Sequence, residues 1–130
     1  MENNSRLMLE QNKLSKALKR LEEVVNDPID SHKAIIDATI QRFKFTFELF
    51  WKWLCLIIIE KGITVNFPKE VLKEAYKAKM IDNEEIWLSM LKDRNLTSHT
   101  YNEDLAMSIY ENIKTYAPLI RKVFEQEQHK

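Results

Sequence analysis

Between Phe43 and Ile59 the chain is apolar on nearly every side, apart from one narrow polar line. Asp37, Gln41, Lys44, Glu48 and Lys52 recur every three or four residues. That spacing puts them on one edge of a helix, whereas a strand would alternate at every second position. It predicts a single long helix from about Pro28 to Lys61. Asp27 can cap its start, with Pro28 at the first position, where the missing N–H costs nothing. Gly62 is placed to end it in a left-handed cap. Glu48 and Lys52 form a favourable i,i+4 pair along its edge. A helix with so little polar surface belongs at the centre of a bundle or against a second subunit. A chain of this size is not expected to bury all of Phe45, Phe47, Phe50, Trp51 and Trp53 by itself. A homodimer or another partner is therefore predicted.

The remaining sequence is helical by the same reasoning. Leu7, Leu14, Leu18, Leu21 and Val25 form one stripe, which predicts a helix from about Arg6 to Val25. A short helix is expected over Pro68 to Lys79. Another, from about Asn83, carries Ile86, Trp87, Met90 and Leu91, with Asp82 as its cap. A last helix carries Leu105, Ile109, Ile113, Tyr116, Ile120 and Phe124, and Pro118 inside it is expected to kink or split it. With one glycine and three prolines in 130 residues, the many turns of an all-β chain have no material. The expected fold class is all-α, an up-and-down bundle of four or five helices, in one domain over residues 1–130.

Several functions are excluded at once. Gly62 alone cannot build a glycine-rich phosphate loop. Cys55 alone can form neither an internal disulfide nor a multi-cysteine zinc site, and it reads as a small buried hydrophobe. His32 and His129 read as surface residues with no second histidine at metal-ligand spacing, so no metal and no cofactor is expected. Lys plus Arg and Asp plus Glu number 20 each, which argues against a wholesale basic coat for nucleic acid. The start of the chain is polar and the longest apolar run, Trp53 to Ile59, is too short to span a bilayer. No membrane association and a cytoplasmic location are the expectation. Trp51, Trp53 and Trp87 sit among apolar neighbours and read as core or subunit interface.

The segment Asp93-Arg94-Asn95-Leu96-Thr97-Ser98-His99-Thr100-Tyr101 carries the chemistry. On one unbroken helix Arg94 and His99 would point about 140° apart. Thr100-x-x-Glu103 has the pattern of a capping box, which predicts a new helix starting at Thr100. A break between Arg94 and His99 would let the two converge, with Tyr101 beside His99. Arginine is a planar, permanently charged fork that matches phosphate oxygens. Histidine is a proton carrier suited to a ribose 2′-hydroxyl. Each residue also has an ordinary reading. Arg94 could complement a helix dipole, His99 could sit at a helix end, and Tyr101 could be half-buried core.

The spacing Arg94-x4-His99-x-Tyr101, after a long helix carrying Phe47-Glu48-Leu49-Phe50-Trp51-Lys52-Trp53-Leu54, resembles the HEPN family. More closely it is similar to the bacterial branch of nucleotidyltransferase substrate-binding proteins, over about Leu14 to Phe124. The resemblance implies a homodimeric helical bundle encoded beside a minimal nucleotidyltransferase. It further implies a metal-independent ribonuclease toxin whose Arg94 and His99, from both subunits, meet at the interface. Arg94 would hold the scissile phosphate, His99 would act on the 2′-hydroxyl, and Asn95 would hold the geometry. The nucleotidyltransferase would silence the toxin by transferring AMP to Tyr101. The alternative it implies is a non-catalytic subunit that binds nucleotide or acceptor substrate for the nucleotidyltransferase. A plain helical dimerisation module is a third possibility, disfavoured by the intact motif.

Overall fold

The computed structural model describes residues 2–26 and 33–128. Five helices account for almost all of it: α1 (Glu2–Val25), α2 (Lys33–Glu60), α3 (Pro68–Lys77), α4 (Glu84–Leu96) and α5 (Glu103–Gln128). A short 3-10 turn, Thr97–His99, joins α4 to α5. The all-α bundle expected from the sequence is present, with α2 touching α1, α3, α4 and α5. The expected start of α2 at Asp27 and Pro28, together with His32 and His129, lies outside the described residues.

Side-chain pairings give the helix directions. Arg42 donates to the Arg20 carbonyl at 2.8 Å and Trp53 Nε1 lies 3.4 Å from Gln11 Oε1, so α1 and α2 are antiparallel. Phe43 stacks on Tyr116 and Trp53 meets Phe124, so α2 and α5 are parallel. Ser89 and Asp93 both reach Tyr116, and Asp93 also reaches Asn112, so α4 returns against α5. The four long elements thus alternate in direction, and α3 is a short extra helix between α2 and α4.

The core is an aromatic ladder along α2. Phe43, Phe47, Phe50 and Trp53 are each fully buried, with neighbouring ring centroids 6.0 to 6.4 Å apart. Trp87 of α4 stacks on Phe50 at 5.2 Å, and Phe124 of α5 meets Trp53 at 5.3 Å. Leu14, Leu18 and Leu21 close the ladder from α1. One chain therefore buries more of α2 than expected: Phe47, Phe50 and Trp53 need no partner. Trp51 is half-buried and Phe45 stays 59% exposed. The reason is that α4 and α5 present aromatic rings to the same face of α2. The inferred surplus of apolar surface on α2 shrinks to Phe45 and Ile59.

Other local expectations meet local corrections. Gly62 ends α2 at φ +87°, the left-handed region as anticipated. The cap of α4 is Asn83 rather than Asp82: its side chain accepts from the Ile86 N–H at 3.4 Å. Asp82 instead pairs with Lys122 at 3.7 Å. Pro118 does not split α5, which continues to Gln128. Its ring is exposed, so the carbonyl it deprives of a donor can turn to water. At the end of α3 the Met80 and Lys79 amides donate to the Ala75 and Tyr76 carbonyls, a Schellman closure with Lys79 at φ 61°. No helix among the described residues is long and apolar enough to cross a membrane.

Candidate functional site

The junction of α4 and α5 is built on one buried carboxylate. Asp93 accepts from the Tyr116 hydroxyl at 2.6 Å and from Asn112 Nδ2 at 2.9 Å. The Tyr116 proton is committed to Asp93, so the Ser89 hydroxyl, 3.1 Å away, donates to the phenol oxygen. Burial, and then the hydrogen bond to Asp93, push the Tyr116 phenol up to about 12. The network fixes the last turn of α4 against α5.

Arg94 follows Asp93 and turns by one helical step toward α2. Its Nη2 is bonded to Glu48 Oε2, and its Nη1 donates to Asn95 Oδ1 at 2.9 Å. Its Nε is buried without a hydrogen-bond partner. Glu48 also keeps the expected pair with Lys52, at 3.9 Å. Its contact with Arg94 was not anticipated, because it joins residues 46 positions apart. The available signal was a carboxylate on the polar edge of an otherwise apolar helix.

The break after Arg94 is made by hydroxyls. Thr97 Oγ1 donates to the Arg94 carbonyl at 2.7 Å, Ser98 Oγ to Asn95 at 3.5 Å, and Thr100 Oγ1 to Thr97 at 3.1 Å. These bonds satisfy the last carbonyls of α4 and tighten its end into a 3-10 turn. Thr100 is therefore not the cap of α5, which corrects the capping-box expectation. Its hydroxyl points backward, and Asn102 caps instead, accepting from the Leu105 N–H at 3.1 Å. Asn is among the strongest capping residues, and Glu103 and Asp104 complete a favourable first turn.

His99 ends the turn on the surface, its ring edge-on to Tyr101 with centroids 6.0 Å apart. Tyr101 is 84% exposed, so it is not half-buried core. The structure thus joins Arg94 to Asn95 and His99 to Tyr101. Among the described residues no hydrogen bond links the two pairs. Tyr101 borders a cavity of about 390 Å³, lined also by Lys33, Asp37, Gln41, Thr100 and Glu103. Cys55 is half-buried with Sγ 3.7 Å from the Val65 carbonyl, and burial pushes its thiol up, away from reactivity. Among the described residues no three His, Cys, Asp or Glu side chains are grouped to hold a metal.

Residues 9–129 match the family described as nucleotidyltransferase substrate binding protein like. The chain belongs to this family. HEPN proteins of this branch include a curated relative from Haemophilus influenzae named probable ribonuclease HepT, 31% identical over 99 residues. That match covers 72% of this chain and 66% of the relative, so the chain spans just under two thirds of that protein's length. Two solved structures share the fold. A Thermus thermophilus protein is 37% identical with TM-score 0.83, over 87% of this chain and 97% of its own. A Haemophilus influenzae protein, described as having the fold of a substrate binding domain of a nucleotidyltransferase, is 27% identical with TM-score 0.77, over 89% and 97% of the two chains. The family match takes in the whole α4–α5 junction of this HEPN chain, including Arg94, Asn95, His99 and Tyr101.

Proposed function

We propose that this HEPN protein is a ribonuclease that works beside a minimal nucleotidyltransferase, with Arg94 and His99 of two copies forming one composite site. The observation that carries the reading is the open turn after α4, where His99 and Tyr101 stand on the surface a few residues beyond an Arg94 held by Glu48 and Asn95. His99 takes the proton of a ribose 2′-hydroxyl, and the 2′-oxygen attacks the adjacent phosphorus. The bond to the 5′-oxygen breaks, that oxygen is protonated as it leaves, and a 2′,3′-cyclic phosphate remains. Arg94 stabilises the charge on the phosphoryl oxygens. Glu48 holds Nη2, so a phosphate takes its place at the guanidinium by exchanging with that carboxylate. Asn95 holds the opposite edge. Tyr101 is the acceptor for silencing: its phenol oxygen attacks the α-phosphorus of ATP in the partner's site and pyrophosphate leaves. Its exposure of 84% suits that role.

The test is cleavage of single-stranded RNA by the purified chain in EDTA. Wild type should leave cyclic phosphate ends, and His99→Ala and Arg94→Ala should each lose about 100-fold or more in rate. Arg94→Lys should also be poor, because a point charge does not replace a fork. Tyr101→Phe should cut normally and resist silencing. A second reading, a non-catalytic subunit that presents nucleotide or substrate to the nucleotidyltransferase, draws on Glu48 already occupying Arg94 and on the solved relative described as a substrate binding domain. Cleavage that survives His99→Ala, or no cleavage at all, would favour it.

A further inference from the structure

A second groove, about 450 Å³, lies between α1 and α2 and has no part in the chemistry above. Its floor is apolar, with Ala17, Phe45 and Leu49, and its charged lining is Lys13, Lys16, Arg20 and Arg42 with no carboxylate. The whole chain is neutral, so this is a local concentration of positive charge. Two of the four cations are engaged at the edges. Lys13 pairs with Glu10 at 3.4 Å, and Arg42 holds the Arg20 carbonyl at 2.8 Å with Glu23 at 3.8 Å. Lys16 and Arg20 line the groove and have no ion-pair partner among the described residues. Lys13, Lys16 and Arg20 are three and four positions apart, so they line one face of α1. On the α2 side of the groove stands Phe45, 59% exposed.

We propose that this groove binds a single-stranded RNA segment flanking the scissile bond, with phosphates on Lys16 and Arg20 and a base stacked on Phe45. A cationic track beside an aromatic platform is the arrangement that takes single strands, because every unpaired base offers a face while a duplex keeps its bases stacked. Continuity with the candidate site supports the assignment: Gln41 lines both this groove and the cavity that holds Tyr101. A subunit contact is disfavoured on this face, since it would bury two unpaired cations, and lysine is depleted from interface centres. The proposal rests on the RNA reading of the site, but it concerns binding and is tested apart from cleavage.

The experiment is fluorescence anisotropy of a labelled single-stranded RNA of about 12 nucleotides on the full chain, a length within the span one binding groove covers. The His99→Ala background keeps the probe intact. Lys16→Ala with Arg20→Ala should weaken binding at least about 10-fold and reduce the slope of log affinity against log salt by about 1.4, as expected for two lost phosphate contacts. Phe45→Ala should weaken binding about 10-fold with the salt slope unchanged, and Phe45→Trp should restore it. Unchanged affinity in these variants overturns the proposal. So does displacement of the RNA by a poly-glutamate peptide with no effect of Phe45→Ala, which would make the groove an acidic-peptide site. Conversion of a dimer to a monomer by Phe45→Ala in light scattering also overturns it, by making the face a subunit contact. An uncut wild-type substrate with the binding pattern intact removes the nuclease mechanism and leaves the groove standing.

Discussion

Asp93 and His99 are six positions apart and occupy opposite environments. Asp93 is 8% exposed and accepts two hydrogen bonds from α5. His99 is on the surface, with Tyr101 as its ring neighbour. Arg94 and Asn95 stand between the two regimes, half anchored and half open. The contrast separates two tasks that the motif spacing alone runs together: one end of the junction holds geometry, and the other remains free to meet a reactant. Mutations at the two ends should therefore separate stability from activity, and their sizes rank the residues by how closely each is tied to the scaffold.

The largest stability effect should come from Asp93→Ala, which leaves the buried Tyr116 hydroxyl without its acceptor. A loss of about 2–3 kcal/mol is expected in urea unfolding. The same network sets an alkaline limit. The Tyr116 phenol ionises near 10 in the unfolded chain and near 12 in the fold, so between those values the folded state holds the extra proton. This contribution to stability is fully present below pH 10 and is lost as pH rises toward 12. Tyr116→Phe should flatten that decline, and an unchanged pH profile would show that the phenol does not carry it.

Glu48→Ala comes next. It removes the carboxylate from a half-buried guanidinium and should cost about 1.5 kcal/mol. Glu48→Gln, which keeps an acceptor for Arg94, should cost less. Equal losses in the two variants would show that packing, not the hydrogen bond to Arg94, is what Glu48 supplies. Third is the choice of cap. Asn102→Ala should destabilise by about 1 kcal/mol and Thr100→Ala by less than about 0.5, and the reverse order would restore Thr100 as the cap.

These same residues show how far the sequence could be read. Helix number, order and core stripes were legible because burial at 3.6-residue spacing leaves a direct trace, and the α1 and α5 stripes are buried nearly as anticipated. The break between Arg94 and His99 was legible too, although the residue that begins the next helix was not. Thr100 and Asn102 both have capping chemistry, and only the backbone conformation decides which side chain faces forward. Glu48 with Arg94 and Asp93 with Tyr116 were not legible, because each pair joins distant segments and no local pattern marks them. The burial of Phe50 and Trp53 was underestimated for the same reason: the rings that cover them, Trp87 and Phe124, arrive from α4 and α5.

The smallest stability effect should be at the residue proposed to carry the chemistry. His99 lies in the turn that closes α4, on the surface, and what the structure shows its ring meeting is the exposed Tyr101. Truncating such a side chain removes no core contact and leaves no buried group unpaired, so His99→Ala should shift stability by less than about 0.5 kcal/mol. Set beside a loss of RNA cleavage, that near-neutrality assigns the defect to chemistry. Asp93→Ala should reduce activity as well, but together with its unfolding midpoint, because it releases the end of α4 that aims Arg94. If His99→Ala instead destabilised the fold by about 2 kcal/mol or more, a core-sized loss, the turn would be part of the scaffold, and the division between a holding end and a reacting end would fail.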